Sequence, residues 1–232
     1  MEGSMSISDE YYSKYYKGVT NEGVIGIVSK LVHHSLENWP YSISTHKQNK
    51  PNLLGENFKI LEVGAGHGQH VKYVKKFFTS YTQTDFRPEL IEASNIDNVI
   101  TNRESVNAES LPYENDSFER VIATCLLIHL KEPEEAIKEW IRVLKPGGSI
   151  TAYIPNEPGL LLRILQSIST RRKQKKLGIP AKYLHYKEHP YSYPYLVTIL
   201  RQNSKHVHFR KFPFIFGPWD FNIWTVVTII KE

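Results

Sequence analysis

From Phe58 onward, short apolar runs alternate with stretches whose apolar residues recur every three or four positions. Phe58-Lys59-Ile60-Leu61-Glu62-Val63 reads as a buried strand ended by three spaced glycines. Val71, Val74 and Phe78 then predict a helix, Tyr81 to Thr84 a short second strand, and Pro88 the start of another helix. Phe118 to Thr124 is a further apolar strand. Pro133 opens a helix with Ile137, Trp140, Ile141 and Leu144 on one face, stopped by Pro146-Gly147-Gly148, and Ser149 to Ile154 is the next strand. Strands alternating with helices of this length make βαβ units, so an α/β fold with a mostly parallel sheet and helices on both faces is expected. Near the end, His206 to Phe212 and Phe221 to Ile230 predict two strands whose connection is too short for a crossover helix, which makes them antiparallel. Upstream, Asn21 is a candidate N-cap for a helix carrying Val24, Ile27, Val28 and Leu31, with Pro40 closing it. Before that, Tyr11, Tyr12, Tyr15 and Tyr16 form i, i+4 pairs along one side of a short helix.

Composition narrows the class. The 232 residues are 41% hydrophobic and 23% charged, with 13 Gly and 13 Pro, which excludes a disordered tail or a fibre. No apolar run approaches the roughly 18 residues that span a bilayer, and no secretory signal is visible, so a soluble, cytoplasmic protein is expected. The single cysteine, Cys125, excludes an internal disulfide and a multi-cysteine zinc site, and no metal is expected. The net charge of +5 is unevenly spread: residues 1–156 hold 16 basic and 20 acidic side chains, residues 157–232 hold 13 and 4. The two parts are expected to meet different partners.

Glu62-Val63-Gly64-Ala65-Gly66-His67-Gly68 lies between a predicted strand and a predicted helix, where a nucleotide-binding turn belongs. A dinucleotide fingerprint would place its third glycine at position 69, which is Gln69, and no G-K-[ST] follows for a P-loop. Asp85 ends the second strand, from which a carboxylate reaches ribose hydroxyls. Asn107-Ala108-Glu109-Ser110-Leu111-Pro112-Tyr113 precedes the strand from Phe118, and Arg142-Val143-Leu144-Lys145-Pro146-Gly147-Gly148 precedes the strand from Ser149. In order and spacing these four motifs, over about Phe58 to Ile154, resemble class I S-adenosylmethionine-dependent methyltransferases, especially the type 11 small-molecule subgroup.

The resemblance implies a Rossmann-like seven-stranded sheet with an antiparallel C-terminal strand, and S-adenosylmethionine as cofactor with S-adenosylhomocysteine as its product. It places Gly64, Ala65, Gly66 and Gly68 against the cofactor, Glu62 near its amino group and Asp85 on the ribose. Phe86 would lie beside the adenine, Asn107 and Ala108 along its edge, and Thr124 on the sulfonium side. His67 stands where many relatives carry Thr, Ser or Cys. Four segments follow: a helical lid (1–57) whose Tyr15 and Tyr16 fold over the cofactor, a cofactor-binding core (58–155), a substrate-cap insertion (156–195), and the helix end and strand pair that complete the core (196–232).

A sulfonium methyl is already activated, so the protein's main task is to hold an acceptor in line with it. An oxygen acceptor also needs a base, and histidine titrates near neutral pH. The candidates are His129, His189 and His185, in that order. In the insertion, Leu160, Leu161, Ile164, Leu165 and Ile168 make an apolar helical face, followed by Arg171-Arg172-Lys173-Gln174-Lys175-Lys176 and a cluster of tyrosines and histidines up to Tyr195. That set suits a small acceptor, phosphorylated or glycosidic: a sugar, a nucleotide sugar or a glycan intermediate. The alternative is a lipid or lipid-linked acceptor at a membrane surface. Nucleic acid is not expected, because Thr124-Cys125-Leu126-Leu127 replaces the Asn/Asp-Pro-Pro-Tyr type of loop. A non-catalytic cofactor-binding subunit or an NAD-dependent oxidoreductase is the reading from a different class, and the oligomeric state is left open.

Overall fold

The computed structural model describes residues 23–43, 57–74, 78–92, 101–167 and 181–232. The aromatic segment with Tyr15 and Tyr16, the basic run 171–176 and Asn21 lie outside the described residues. Helix α1 (Gly23–Ile43) comes first, followed by β1 (Lys59–Val63), β2 (Ser80–Asp85), the short α2 (Pro88–Glu92), β3 (Thr101–Ser105), β4 (Phe118–Thr124), α3 (Pro133–Val143) and β5 (Leu144–Pro155). Helix α4 (160–167), α5 (Ala181–Glu188), α6 (Tyr193–Asn203), β6 (Val207–Phe212) and β7 (Trp224–Ile230) complete the chain.

The seven strands form one sheet in the order β3-β2-β1-β4-β5-β7-β6. β1 to β5 pair in parallel, and β7 runs antiparallel to both β5 and β6. The chain therefore winds outward from β1 to β3 and restarts at β4, which makes the gap between β1 and β4 the topological switch point.

Alternation along the strands divides their side chains between two faces. On one, Leu61, Val63, Val121, Ala123, Ile150, Ala152, Ile154, Val227 and Ile229 pack with Ala136, Ile137 and Trp140 of α3 and Leu196, Ile199 and Leu200 of α6. Fully burying Trp140 and Ile137 contributes on the order of 1.5–3 kcal/mol per side chain. The other face takes α1 through Val32 and Leu36 against Trp224 and Val226, and a smaller cluster of Phe58, Ile60, Val71, Tyr81 and Ile122. This second face is partly polar. Glu37 of α1 is fully buried and pairs with Arg120 of β4 at 2.8 Å, and the ring of His70 reaches the same Oε1 at 3.0 Å.

Several local expectations differ from the structure: the helix opened by Pro133 ends at Val143, Leu144 already takes extended backbone, and Pro146-Gly147-Gly148 belongs to β5. The helix anticipated around Val71 and Val74 is a single 3-10 turn, His70–Tyr73. Val71 is buried but His70 is drawn into the Glu37 pair, so apolar spacing alone overstated the helix. Helix α1 also runs past Pro40 to Ile43. A proline clashes with the turn before it and lacks an N–H, but does not always stop a helix.

Candidate active site

The segments carrying the predicted site residues leave the sheet at the C-terminal ends of β1 to β5, on one edge. After β1, Gly64, Gly66 and Gly68 adopt φ of +63°, +54° and +67°. Residues with a Cβ enter that region at a cost of roughly 1–2 kcal/mol, which is why glycine recurs there. A Cβ on Gly64 would stand 2.6 Å from Leu126 Cδ1, so the loops after β1 and β4 touch. On Gly68 it would stand 2.7 Å from the Gln83 amide, whereas on Gly66 it would meet nothing within 4 Å among the described residues. Gly66 therefore presents bare backbone to open space.

Asp85 ties this loop to β2. Its Oδ2 accepts the Gly66 N–H at 2.9 Å, and its Oδ1 accepts the N–H and Nε–H of Arg87 at 3.0 and 3.3 Å. The Ala65 N–H donates to the Thr84 carbonyl at 2.8 Å, which closes the turn against the strand. Phe86 follows with its ring largely exposed, and Asn107 is exposed after β3, with its Oδ1 accepting the Glu109 N–H at 3.0 Å. Ala108 is buried, and its carbonyl accepts the indole N–H of Trp140 at 3.0 Å. Glu62 lies beneath the loop. It is buried and accepts from the Tyr81 hydroxyl at 2.9 Å and the Gln83 amide at 3.1 Å. Burial raises its pKa. The same Gln83 amide donates to the Gly68 carbonyl at 3.3 Å, so Glu62 is linked to the glycine turn through one side chain.

At the end of β4 the backbone is strained. Cys125 has φ +58°, uncommon for a residue with a Cβ, and such outliers gather at functional sites. Burial pushes its thiol up to about 12, so it is a thiol and not a nucleophile at neutral pH. The preceding Thr124 has a buried Oγ1 with no partner among the described residues. An unmet hydroxyl inside a protein costs about 1–3 kcal/mol, so its presence at this strand end points to a ligand.

The three histidine candidates meet in one place. The His129 and His189 rings are 4.6 Å apart edge to face, and those of His185 and His189 are also 4.6 Å apart. His129 is exposed at the surface, and desolvation and the neighbouring His189 lower its pKa to about 4. Its Nδ1 lies 2.9 Å from the Glu188 carbonyl, which can only accept. In the neutral ring Nδ1 therefore carries the proton and Nε2 the lone pair.

Glu157, just past β5, is a residue the sequence reading missed. Its Oε2 lies 2.7 Å from His189 Nδ1 and 3.2 Å from His185 Nε2. Its Oε1 accepts the Gln166 amide at 3.2 Å. Although buried, its carboxyl is lowered to about 2, because bonds from His185 and His189 outweigh desolvation. The signal for it was an acid two residues past the end of the fifth strand.

These features fit S-adenosylmethionine: a glycine cradle with an open face, a carboxylate at the end of β2 tied to that cradle, and a hydroxyl at the end of β4 with no partner among the described residues. Sheet order and loop position define a Rossmann-like methyltransferase fold. Residues 61–152 match the family model described as a methyltransferase domain.

Among curated relatives, an uncharacterised protein of Mycobacterium tuberculosis is 27% identical over 131 residues, 55% of this chain and 48% of that protein. The phthiotriol/phenolphthiotriol dimycocerosates methyltransferase of Mycobacterium leprae is 34% identical over 111 residues, 46% of this chain and 40% of that protein. The matches thus span about half the length of these relatives or less. Among solved structures, the CurJ carbon methyltransferase superposes with a TM-score of 0.60 at 16% identity, covering 87% of this chain and 54% of that one.

Proposed function

We propose that the protein transfers a methyl group from S-adenosylmethionine to an oxygen or nitrogen of a small molecule. The reading is carried by the open Gly66 cradle tied by Asp85, whose loop touches the β4 loop that bears Thr124 and His129. Leu126 joins the two, packing on Gly64 and accepting the His129 N–H at 2.9 Å through its carbonyl. When bound, the cofactor supplies a methyl group already activated on a sulfonium. Gly64, Ala65, Gly66 and Gly68 offer it backbone, Asp85 its ribose contacts, Phe86, Asn107 and Ala108 the adenine surround, and Thr124 a hydroxyl. Glu62 supports the turn from below. Fixing the acceptor in line with the methyl group removes translational and rotational entropy. His129 Nε2 takes the acceptor's proton. His185 and His189 each give a ring nitrogen to Glu157 and hold the pocket wall.

The acceptor we favour is a sugar, nucleotide sugar or glycan intermediate, on the strength of the histidine cluster and the stacked Tyr191 and Tyr195 rings, 5.0 Å apart. One of the anticipated platform tyrosines is spent on packing: Tyr193 is buried and stacks on Trp219 at 5.4 Å. A second reading, a lipid or lipid-linked acceptor, is favoured by the exposed Leu160, Ile164 and Leu165 of α4 and by Phe214 and Phe216 in the β6–β7 loop. The name of the Mycobacterium leprae relative supports the same direction.

The test is turnover of labelled cofactor against panels of nucleotide sugars, glycans and lipids. His129→Ala is expected to lower turnover by about a hundredfold or more with S-adenosylhomocysteine affinity unchanged. Undiminished turnover removes His129 as base. Thermal stabilisation by NAD but not by S-adenosylmethionine, about 2.7 kcal/mol at a hundredfold its dissociation constant, would overturn the class.

A further inference from the structure

Glu157, His185 and His189 bring three metal-ligating atoms together within 4.8 Å of one another. They come from two elements. His185 lies on α5, and the His189 N–H donates to the His185 carbonyl at 2.9 Å, continuing the helical turn one residue beyond α5. Residues four apart share a helix face, so both rings project to the same side. Glu157 enters from the end of β5 and is only 7% exposed. Its Oε2 receives both ring nitrogens, at 2.7 and 3.2 Å, while Gln166 fixes its other oxygen. One carboxylate oxygen facing two imidazole nitrogens is an arrangement that a single cation satisfies.

We infer that Glu157 Oε2, His185 Nε2 and His189 Nδ1 form a site for a divalent transition-metal ion of the zinc type. In a tetrahedral site with bonds of about 2.0–2.2 Å, neighbouring ligand atoms stand roughly 3.3 Å apart. Of the separations here, 3.2 Å is close to that spacing and 2.7 Å is shorter, and all three atoms lie within 4.8 Å of one another, so a small opening of the cluster seats the ion. Two imidazoles and one carboxylate suit zinc or cobalt better than calcium or magnesium, which prefer oxygen alone. Three protein ligands leave a fourth position for an exogenous oxygen, the open arrangement of catalytic sites. Gln166 plays the part of the outer partner that orients a ligating carboxylate.

The site borders the edge where methyl transfer is proposed: His129 packs on His189, and the charge of Glu157 acts on Cys125 and Tyr153 at the ends of β4 and β5. An acceptor hydroxyl, carboxylate or phosphate oxygen is the natural fourth ligand. That role rests on the methyl-transfer reading, whereas ion binding does not.

The experiment uses the full chain, stripped with a chelator and titrated with Co2+ by visible absorption and with Zn2+ by calorimetry. One ion per chain is expected. His185→Gln and His189→Gln should each weaken binding by about a hundredfold or more, and Gln166→Leu by about 10–100-fold. Circular dichroism and S-adenosylhomocysteine titration verify that each variant is folded. His185 is a third exposed at its side chain, so its variant carries the test if Glu157→Gln fails to fold. A folded stripped protein that takes up no ion overturns the inference. So does uptake whose affinity is unchanged in both histidine variants, since the ion then sits elsewhere among the ten histidines. Ion binding without S-adenosylhomocysteine binding would leave the metal site standing and remove the methyl-transfer reading.

Discussion

Gly66→Ala separates the cost of a strained backbone from the cost of filling a ligand cradle. Gly66 has φ +54°, so an L-residue there is strained by roughly 1–2 kcal/mol. The added Cβ meets no atom of the described residues within 4 Å, so none of them adds a clash to that strain. Stability should therefore fall by about 1–2 kcal/mol, and the Gly66 N–H to Asp85 bond survives, because alanine keeps its N–H. Gly64→Ala is the contrasting case. The same backbone penalty applies, and its Cβ would stand 2.6 Å from Leu126 Cδ1, so side-chain displacement is added. If S-adenosylmethionine lies against Gly66, a methyl group there prevents close approach and loses at least one backbone contact. A loss of about 1.4 kcal/mol is already tenfold in affinity. The assay pairs chemical denaturation with calorimetric titration of S-adenosylhomocysteine. The expected result is a folded Gly66→Ala protein with affinity reduced tenfold or more. Wild-type affinity in that variant would refute the placement of the cofactor on this loop.

Two further outcomes follow from buried polar groups. Thr124→Val removes a buried hydroxyl with no partner among the described residues, so the melting temperature should hold or rise. Cofactor affinity or turnover should fall nonetheless, and if neither moves, the hydroxyl has no part in the site. His33 is buried, and desolvation lowers its pKa from 6.5 to about 4, a penalty of roughly 3 kcal/mol on the charged form. Because its folded pKa is depressed, the unfolded chain takes up a proton first as pH falls below 6.5, and stability drops until about pH 4. Glu37, whose pKa is lowered from 4.5 to about 2 with Arg120 as the largest favourable contribution, extends the loss from pH 4.5 down to 2. Melting scans from pH 7.5 to 4.5 should show less slope in His33→Gln than in the wild type. Parallel curves would rule His33 out as the source.

Much of the sheet was legible because strand runs such as Ile60-Leu61 and Val121–Ala123 are apolar on both faces, the pattern of parallel strands covered by helices. The antiparallel turn-back at β7 was legible from the shortness of its connection to β6. The polar face under α1 was not. Glu37 and Arg120 are separated by 83 positions, and each alone reads as a surface charge; only their pairing makes burial tolerable. The same holds for Glu157. Its role depends on two histidines more than twenty-five positions away, which sequence order identifies as candidates but cannot bring to one carboxylate oxygen. Local chemistry such as the glycine turn is written in contiguous residues, whereas convergent chemistry is written in topology.

That distinction explains how the two charge halves of the chain relate to one reaction. The loops after β1, β2 and β3 are in the acidic part and supply the glycine turn, Asp85 and Asn107, all suited to a cofactor carrying a cationic sulfonium and neutral hydroxyls. The segments after β5 belong to the basic part and supply Glu157, His185 and His189. β4 lies between, pairing with β1 on one side and β5 on the other. Its terminal Thr124 and the adjoining Leu126 and His129 therefore touch both halves: Leu126 meets Gly64, and His129 meets His189 and the Glu188 carbonyl. On the methyl-transfer reading proposed above, transfer between a cofactor on one side and an acceptor on the other occurs across this strand end. The strained backbone at Cys125 lies at that crossing, where a regular continuation of β4 would not lead the chain into the turn carrying Leu126 and His129.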